Sequence, residues 1–145
     1  MRESRRQAGL SAEQVAVLAA RAADERKALD VSVLDLRGLS PLADFFVLSS
    51  GQSTPQVRAI AEHVERSLSQ AGLPPPRWEG TEASRWILLD YGDVVVHVFH
   101  HAEREFYNLE ALWDRAPRLA VDLAGAGSPP GQVQGGSAER ALDKP

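Results

Sequence analysis

Gly51-Gln52-Ser53 lies between an apolar run and Thr54-Pro55, where a phosphate could meet the first turn of a helix. The tripeptide lacks the glycine and lysine spacing of a P-loop and the second glycine of a nucleophile elbow. Ser53 and Thr54 suit a helix cap, so a tight strand-to-helix turn is the simpler reading. Asp90 and Asp93, with Asp35 and Asp44, are candidates for a divalent cation. The first two sit at opposite ends of a turn with few further oxygen ligands nearby, which fits a solvated turn or a basic partner better than a metal. His97, His100 and His101 precede Glu103, and His97 and His101 share strand parity, the pattern of a two-histidine metal site. Flanked by Val96 and Val98, His97 is more simply a hydrogen-bonded residue on a sheet. The chain has no cysteine, which excludes disulfides, thiolate zinc sites and cysteine nucleophiles.

Aromatic mass concentrates at Trp86, Tyr91, Phe106, Tyr107 and Trp113. Core packing accounts for Phe106 and Leu109. Tyr91 stands in a predicted hairpin loop, where an exposed aromatic favours an interface. From Glu79 to Asp114 eight acidic residues face Arg85 and Arg104, a net of −6. Such a segment suits a basic protein partner and disfavours direct phosphate binding. The whole chain carries 16 basic and 20 acidic residues, net −4, which argues against a protein whose work is neutralising nucleic-acid phosphates.

The elements that must position these residues follow from hydrophobic period and breakers. At 145 residues, 43% hydrophobic and 25% charged, the chain is one ordinary globular domain. Arg5-Arg6 is not followed by an apolar segment long enough for export, and no run could span a membrane, so a cytoplasmic location is expected. Residues 1–10 read as a flexible extension, 11–123 as the domain, and 124–145 as a Gly/Pro-rich tail too poor in apolar residues to offset its ordering entropy.

Ser11 and Gln14 form a capping box, and the period of Val15, Leu18, Ala19 and Ala22 predicts a helix over 12–28. Strands follow from Val31 to Leu36 and from Phe45 to Ser50, the second apolar enough to be buried on both faces. Thr54-Pro55 opens a second helix with its stripe on Val57, Ile60, Ala61, Val64 and Leu68, and Gly72 stops it. A short strand near Trp78 precedes two strands, Trp86 to Asp90 and Asp93 to Phe99, joined across Tyr91-Gly92 as a hairpin. The last helix spans Ala102 to Trp113, with Phe106, Leu109 and Trp113 on one side. Strands mixed with helices indicate a mixed α/β (α+β) sheet layered with helices.

Three ordered strings carry a family resemblance. They are Ser40-Pro41-Leu42-Ala43-Asp44-Phe45-Phe46-Val47-Leu48-Ser49-Ser50-Gly51-Gln52-Ser53; Glu79-Gly80 with Trp86-Ile87-Leu88-Leu89-Asp90-Tyr91-Gly92-Asp93-Val94-Val95-Val96-His97-Val98-Phe99; and Arg104-Glu105-Phe106-Tyr107-Asn108-Leu109-Glu110-Ala111-Leu112-Trp113. Over roughly residues 11–115 the chain resembles the ribosomal silencing factor family, also called RsfS or Iojap-like. His101 stands where many relatives begin the last helix with proline, and the two termini lie outside the expected family pattern.

The resemblance implies a five-stranded mixed sheet flanked by helices, nucleotidyltransferase-like, with a C-terminal hairpin and helix. It implies a non-enzymatic translational repressor that binds the large ribosomal subunit through ribosomal protein uL14 and sterically blocks association with the small subunit. A role in large-subunit biogenesis, a homodimer when free, no cofactor, no membrane and little direct nucleic-acid contact are further implications. Trp86 matches the family's partner-facing tryptophan, and Asp90, Tyr91, Asp93 and Tyr107 match its pattern. On this surface Trp86 and Tyr91 are the expected anchors, with Asp90, Asp93 and Glu110 accepting from Lys or Arg. The alternative from a different class is a Mg²⁺-dependent nucleotidyltransferase using Gly51-Gln52-Ser53 for phosphates. It lacks a close carboxylate pair on alternate residues of one strand.

Overall fold

The computed structural model describes residues 9–80, 83–107 and 114–123, the side chains of 105–107 excepted. Glu110, the expected apolar side of the last helix beyond Tyr107, residues 1–8 and the tail from 124 lie outside the described residues. Helix α1 (Ala12–Glu25) starts at the Ser11 capping box. The Ser11 hydroxyl accepts from the Gln14 amide at 3.1 Å, and the Gln14 side chain accepts from the Ser11 amide at 2.9 Å.

The helix ends three residues before the expected Ala28. Lys27 takes the left-handed conformation (φ 63°), its amide donates to the Asp24 carbonyl, and the Ala28 amide reaches back to Ala23. This is a Schellman stop built on lysine, so the usual glycine signal is absent from the sequence. Helix α2 (Thr54–Gln70) closes in the same way, with Gly72 at the left-handed position and the Leu73 amide donating to Leu68.

Five strands form one mixed sheet: β1 (Leu29–Asp35), β2 (Phe45–Gly51), β3 (Arg77–Gly80), β4 (Trp86–Asp90) and β5 (Val94–His100), in the order β1-β2-β5-β4-β3. Only β2 and β5 run parallel; the other neighbours are antiparallel. These two central strands are buried nearly throughout, which is why both read as continuous apolar runs. Helices α1 and α2 pack on one face. There Val15, Ala16, Ala19 and Ala23 of α1 and Val57, Ile60, Val64 and Leu68 of α2 meet Val33, Phe45, Val47, Ile87, Leu89, Val96 and Val98. The small side chains of α1 let it lie close to the sheet.

Strand β3 is an edge with one tight constraint. Gly80 has φ +150°, and a Cβ there would lie 2.4 Å from the backbone oxygen of Trp86. Gly80→Ala should therefore push β3 away from β4 and lower stability by about 1–2 kcal/mol, read as a lower urea midpoint at unchanged slope. An edge strand yields more easily than a central one, which keeps the cost in that range.

The opposite edge, β1, is partly covered by a segment the sequence gives no strand signal for. The Asp35 amide donates to the Pro117 carbonyl at 2.8 Å, and the Leu119 amide to the Val33 carbonyl at 2.9 Å. Helix α3 (His101–Tyr107) is tied to the second face of the sheet by Arg104, whose guanidinium donates to Ser50 at 3.1 Å and Ser32 at 3.4 Å. Among the described residues no helix is long and apolar enough to cross a membrane.

Candidate functional site

Strand parity sends Trp86, Leu88 and Asp90 of β4 away from the two long helices, onto the face that also carries Phe46 and Leu48 of β2 and His97 and Phe99 of β5. Trp86 pairs with Phe99 across the β4–β5 ladder, and Leu88 with His97. Trp86 and His97 are therefore diagonal neighbours, within reach of two aromatic rings. The Trp86 indole nitrogen donates to Nδ1 of His97 at 3.3 Å. Ring centroids are 5.0 Å apart for Trp86 and Phe99, 6.1 Å for Trp86 and His97, and 4.6 Å for Phe46 and His97. His97 and Phe99 lie nearly parallel at 6.0 Å. Burial among these rings pulls the His97 imidazole down to about 4, so it is neutral at pH 7.

Charges rim this aromatic group. Asp90 accepts from the Gly92 amide at 2.8 Å and stands opposite Arg77 in the β3–β4 ladder. Arg77 also holds Glu79. At the other end Arg85 and Glu103 pair at 2.8 Å, and His100 stacks on His101.

Two candidates stand elsewhere than their expected exposure suggests. The Asp90–Val95 pairing and the Tyr91 amide to Val94 carbonyl bond make Gly92-Asp93 the two-residue turn, one residue later than the Tyr91-Gly92 turn expected. Tyr91 thus extends β4 on the helix side, in step with Leu89, and packs against the main core. Its hydroxyl is buried, and that burial, aided by Glu65, raises its pKa. Tyr91 is not the exposed loop aromatic that its position in the chain suggests. Asp93 is likewise buried, at 1% exposure, and its carbonyl accepts from the Asp44 and Phe45 amides. Trp86 and Asp90 share the aromatic face, whereas Tyr91 does not. Tyr107 ends α3, but its side chain and the whole of Glu110 fall outside the described residues.

The weaker chemical motifs resolve into structure. Ser53 caps α2 by accepting from the Gln56 amide at 3.2 Å, as the turn reading requires. A Cβ on Gly51 would sit 3.0 Å from the Val57 nitrogen, so close strand-to-helix approach accounts for that glycine. Asp35 is taken up by Arg37, whose side-chain hydrogen bonds hold its carboxyl below the usual range. Among the described residues no group of three or more His, Cys, Asp or Glu could hold a metal ion. His97 is the residue whose importance the sequence understated. Its place on the sheet was legible, but its partner, Trp86, required the hairpin register.

Fold and face together define a small mixed α/β protein distinguished by an aromatic sheet face rimmed by charges of both signs. The family model described as ribosomal silencing factor during starvation matches residues 10–143. A ribosomal silencing factor from Halalkalibacterium halodurans is 44% identical over 113 residues, 78% of this chain and 97% of that protein. A crystal structure of a Chromobacterium violaceum protein superposes with a TM-score of 0.70 at 37% identity, covering 79% of this chain and 97% of that one. A Mus musculus protein named for mitochondrial assembly of the ribosomal large subunit is 30% identical over 92 residues, 61% of this chain and 40% of that protein. The chain belongs to the ribosomal silencing factor family. The family match runs into the tail that the sequence strings left outside the pattern.

Proposed function

We propose that this protein is a non-enzymatic translational repressor that binds the large ribosomal subunit and sterically hinders its joining to the small subunit. The observation that carries this reading is the sheet face bearing Trp86 and Asp90, an aromatic anchor at one end of β4 and an acceptor for Lys or Arg at the other. Ribosomal protein uL14 is the proposed contact, and the cytoplasm the proposed location. In this mechanism the protein excludes the small subunit by volume. Trp86 supplies a desolvated anchor, and Asp90 sets register and encounter rate. Tyr91 and Asp93 act from behind by fixing the hairpin that presents Asp90. A large-subunit assembly role is the second reading, motivated by the name of the Mus musculus relative.

Co-sedimentation with purified large subunits, followed by addition of small subunits, tests the proposal. Binding that lowers the yield of joined ribosomes supports repression; binding confined to immature large particles favours assembly; a folded protein that binds neither refutes both. Asp90→Asn should weaken binding by a few-fold, about 1 kcal/mol, and flatten its dependence on salt. An unchanged salt slope would take Asp90 out of the contact.

A further inference from the structure

Trp86 carries the proposed docking reading, and what holds its ring is therefore part of that function. An indole nitrogen can only donate, so the 3.3 Å contact requires Nδ1 of His97 to accept. That places the single ring proton of a neutral imidazole on Nε2. The histidine has little freedom to turn: it is 4% exposed, lies against Phe46 at 4.6 Å and runs nearly parallel to Phe99 at 6.0 Å. Its Nε2 meets no acceptor among the described residues. The Trp86 ring also rests on Phe99 at 5.0 Å and is only partly buried. The hydrogen bond to a fixed imidazole adds a directional constraint at the indole nitrogen that ring stacking does not supply.

We infer that His97 is a positioning residue for Trp86: its Nδ1 atom, held by the Phe46 and Phe99 rings, fixes the indole in the orientation that the docking face presents. Pre-orienting an anchor lowers the ordering cost of binding. The inference rests on the docking reading for its consequence, and on its own geometry for the positioning. Replacement by an aromatic without an acceptor and by a side chain that keeps one should therefore behave differently. His97→Phe preserves the ring and the stack but abolishes the acceptor. His97→Asn loses ring area but keeps an oxygen near the place of Nδ1.

The experiment uses ¹⁵N-labelled full-length protein, with the Trp86 indole resonance assigned by its absence in Trp86→Phe. In wild type, the imidazole nitrogens should show an unprotonated Nδ1 and a protonated Nε2. His97→Phe should speed hydrogen exchange at the Trp86 indole by about tenfold or more and weaken large-subunit binding by about tenfold, the scale of one lost hydrogen bond. His97→Asn should keep both within about threefold. The opposite wild-type tautomer overturns the inference, even if neither variant folds. So does an unmoved indole in folded His97→Phe, or equal loss in both variants. If wild type fails to bind large subunits while the indole responds as expected, positioning stands and the docking reading fails.

Discussion

Trp86→Ala should leave a folded protein that binds large ribosomal subunits at least about 30-fold more weakly, a loss of about 2 kcal/mol or more. The fold should survive because the main core lies on the other side of the sheet. Phe45, Ile60, Leu68 and Leu89 are fully buried there, and none depends on the indole. Trp86 belongs to the smaller cluster with Leu34, Leu36, Leu48 and Phe99, at its partly exposed margin. Some stability is lost with its contact to Phe99, so binding is best measured well below the unfolding midpoint, with circular dichroism as the check. Tyr91→Phe is the matched control. It deletes a hydroxyl buried on the helix side and should leave binding unchanged. Equal affinity for wild type and folded Trp86→Ala would remove Trp86 from the interface. An unfolded Trp86→Ala would make it a core residue instead.

The contrast between Trp86 and Tyr91 shows where sequence reasoning works and where it stops. Helix starts were legible because capping is local: Ser11 with Gln14, and Ser53 ahead of Thr54-Pro55, form the hydrogen bonds their types suggest. The central strands were legible because burial on both faces leaves continuous apolar runs. The end of α1 was misplaced because Lys27 occupies a left-handed site that composition assigns to glycine.

Hairpin register is decided by a single residue, and either Tyr91-Gly92 or Gly92-Asp93 satisfies the turn preferences. The choice determines whether Tyr91 is loop or strand and whether Asp93 is solvated or buried. Favouring the second pair are the strand parity that aligns Tyr91 with Leu89 and the docking of Asp44 and Phe45 onto the Asp93 carbonyl, a contact between distant segments. The pairing of residues 117–119 with β1 is similarly non-local, with no apolar alternation to announce it. The docking face is half legible for the same reason. Trp86 and Asp90 share a face by strand alternation alone, whereas the bond from Trp86 to His97 needs two strands in register.

Acid should destabilise this protein in a window set by His97. Its neighbours Phe46, Trp86 and Phe99 offer no carboxylate to stabilise an imidazolium, and burial alone moves the folded pKa to about 4. The unfolded chain, with an ordinary histidine value near 6.5, takes up a proton first as the pH falls. Stability is therefore full above about 6.5, declines through the interval and levels off below about 4, by on the order of 3 kcal/mol in total.

Asp35 titrates in a separate range. Its carboxyl is held below 3.8 chiefly by Arg37, so its contribution is present at higher pH and fades only in stronger acid. His100 shifts in the same direction as His97 through burial, Arg85 and His101, but it lies near solvent and contributes little. Urea unfolding at about pH 7.5 and about pH 4.5 isolates the His97 contribution. Wild type should lose most of the expected amount between the two. His97→Phe, with nothing to protonate at that position, should lose far less. Parallel losses in the two proteins would mean that the imidazole is not buried in its neutral form, and the acid sensitivity would then belong to other titrating groups.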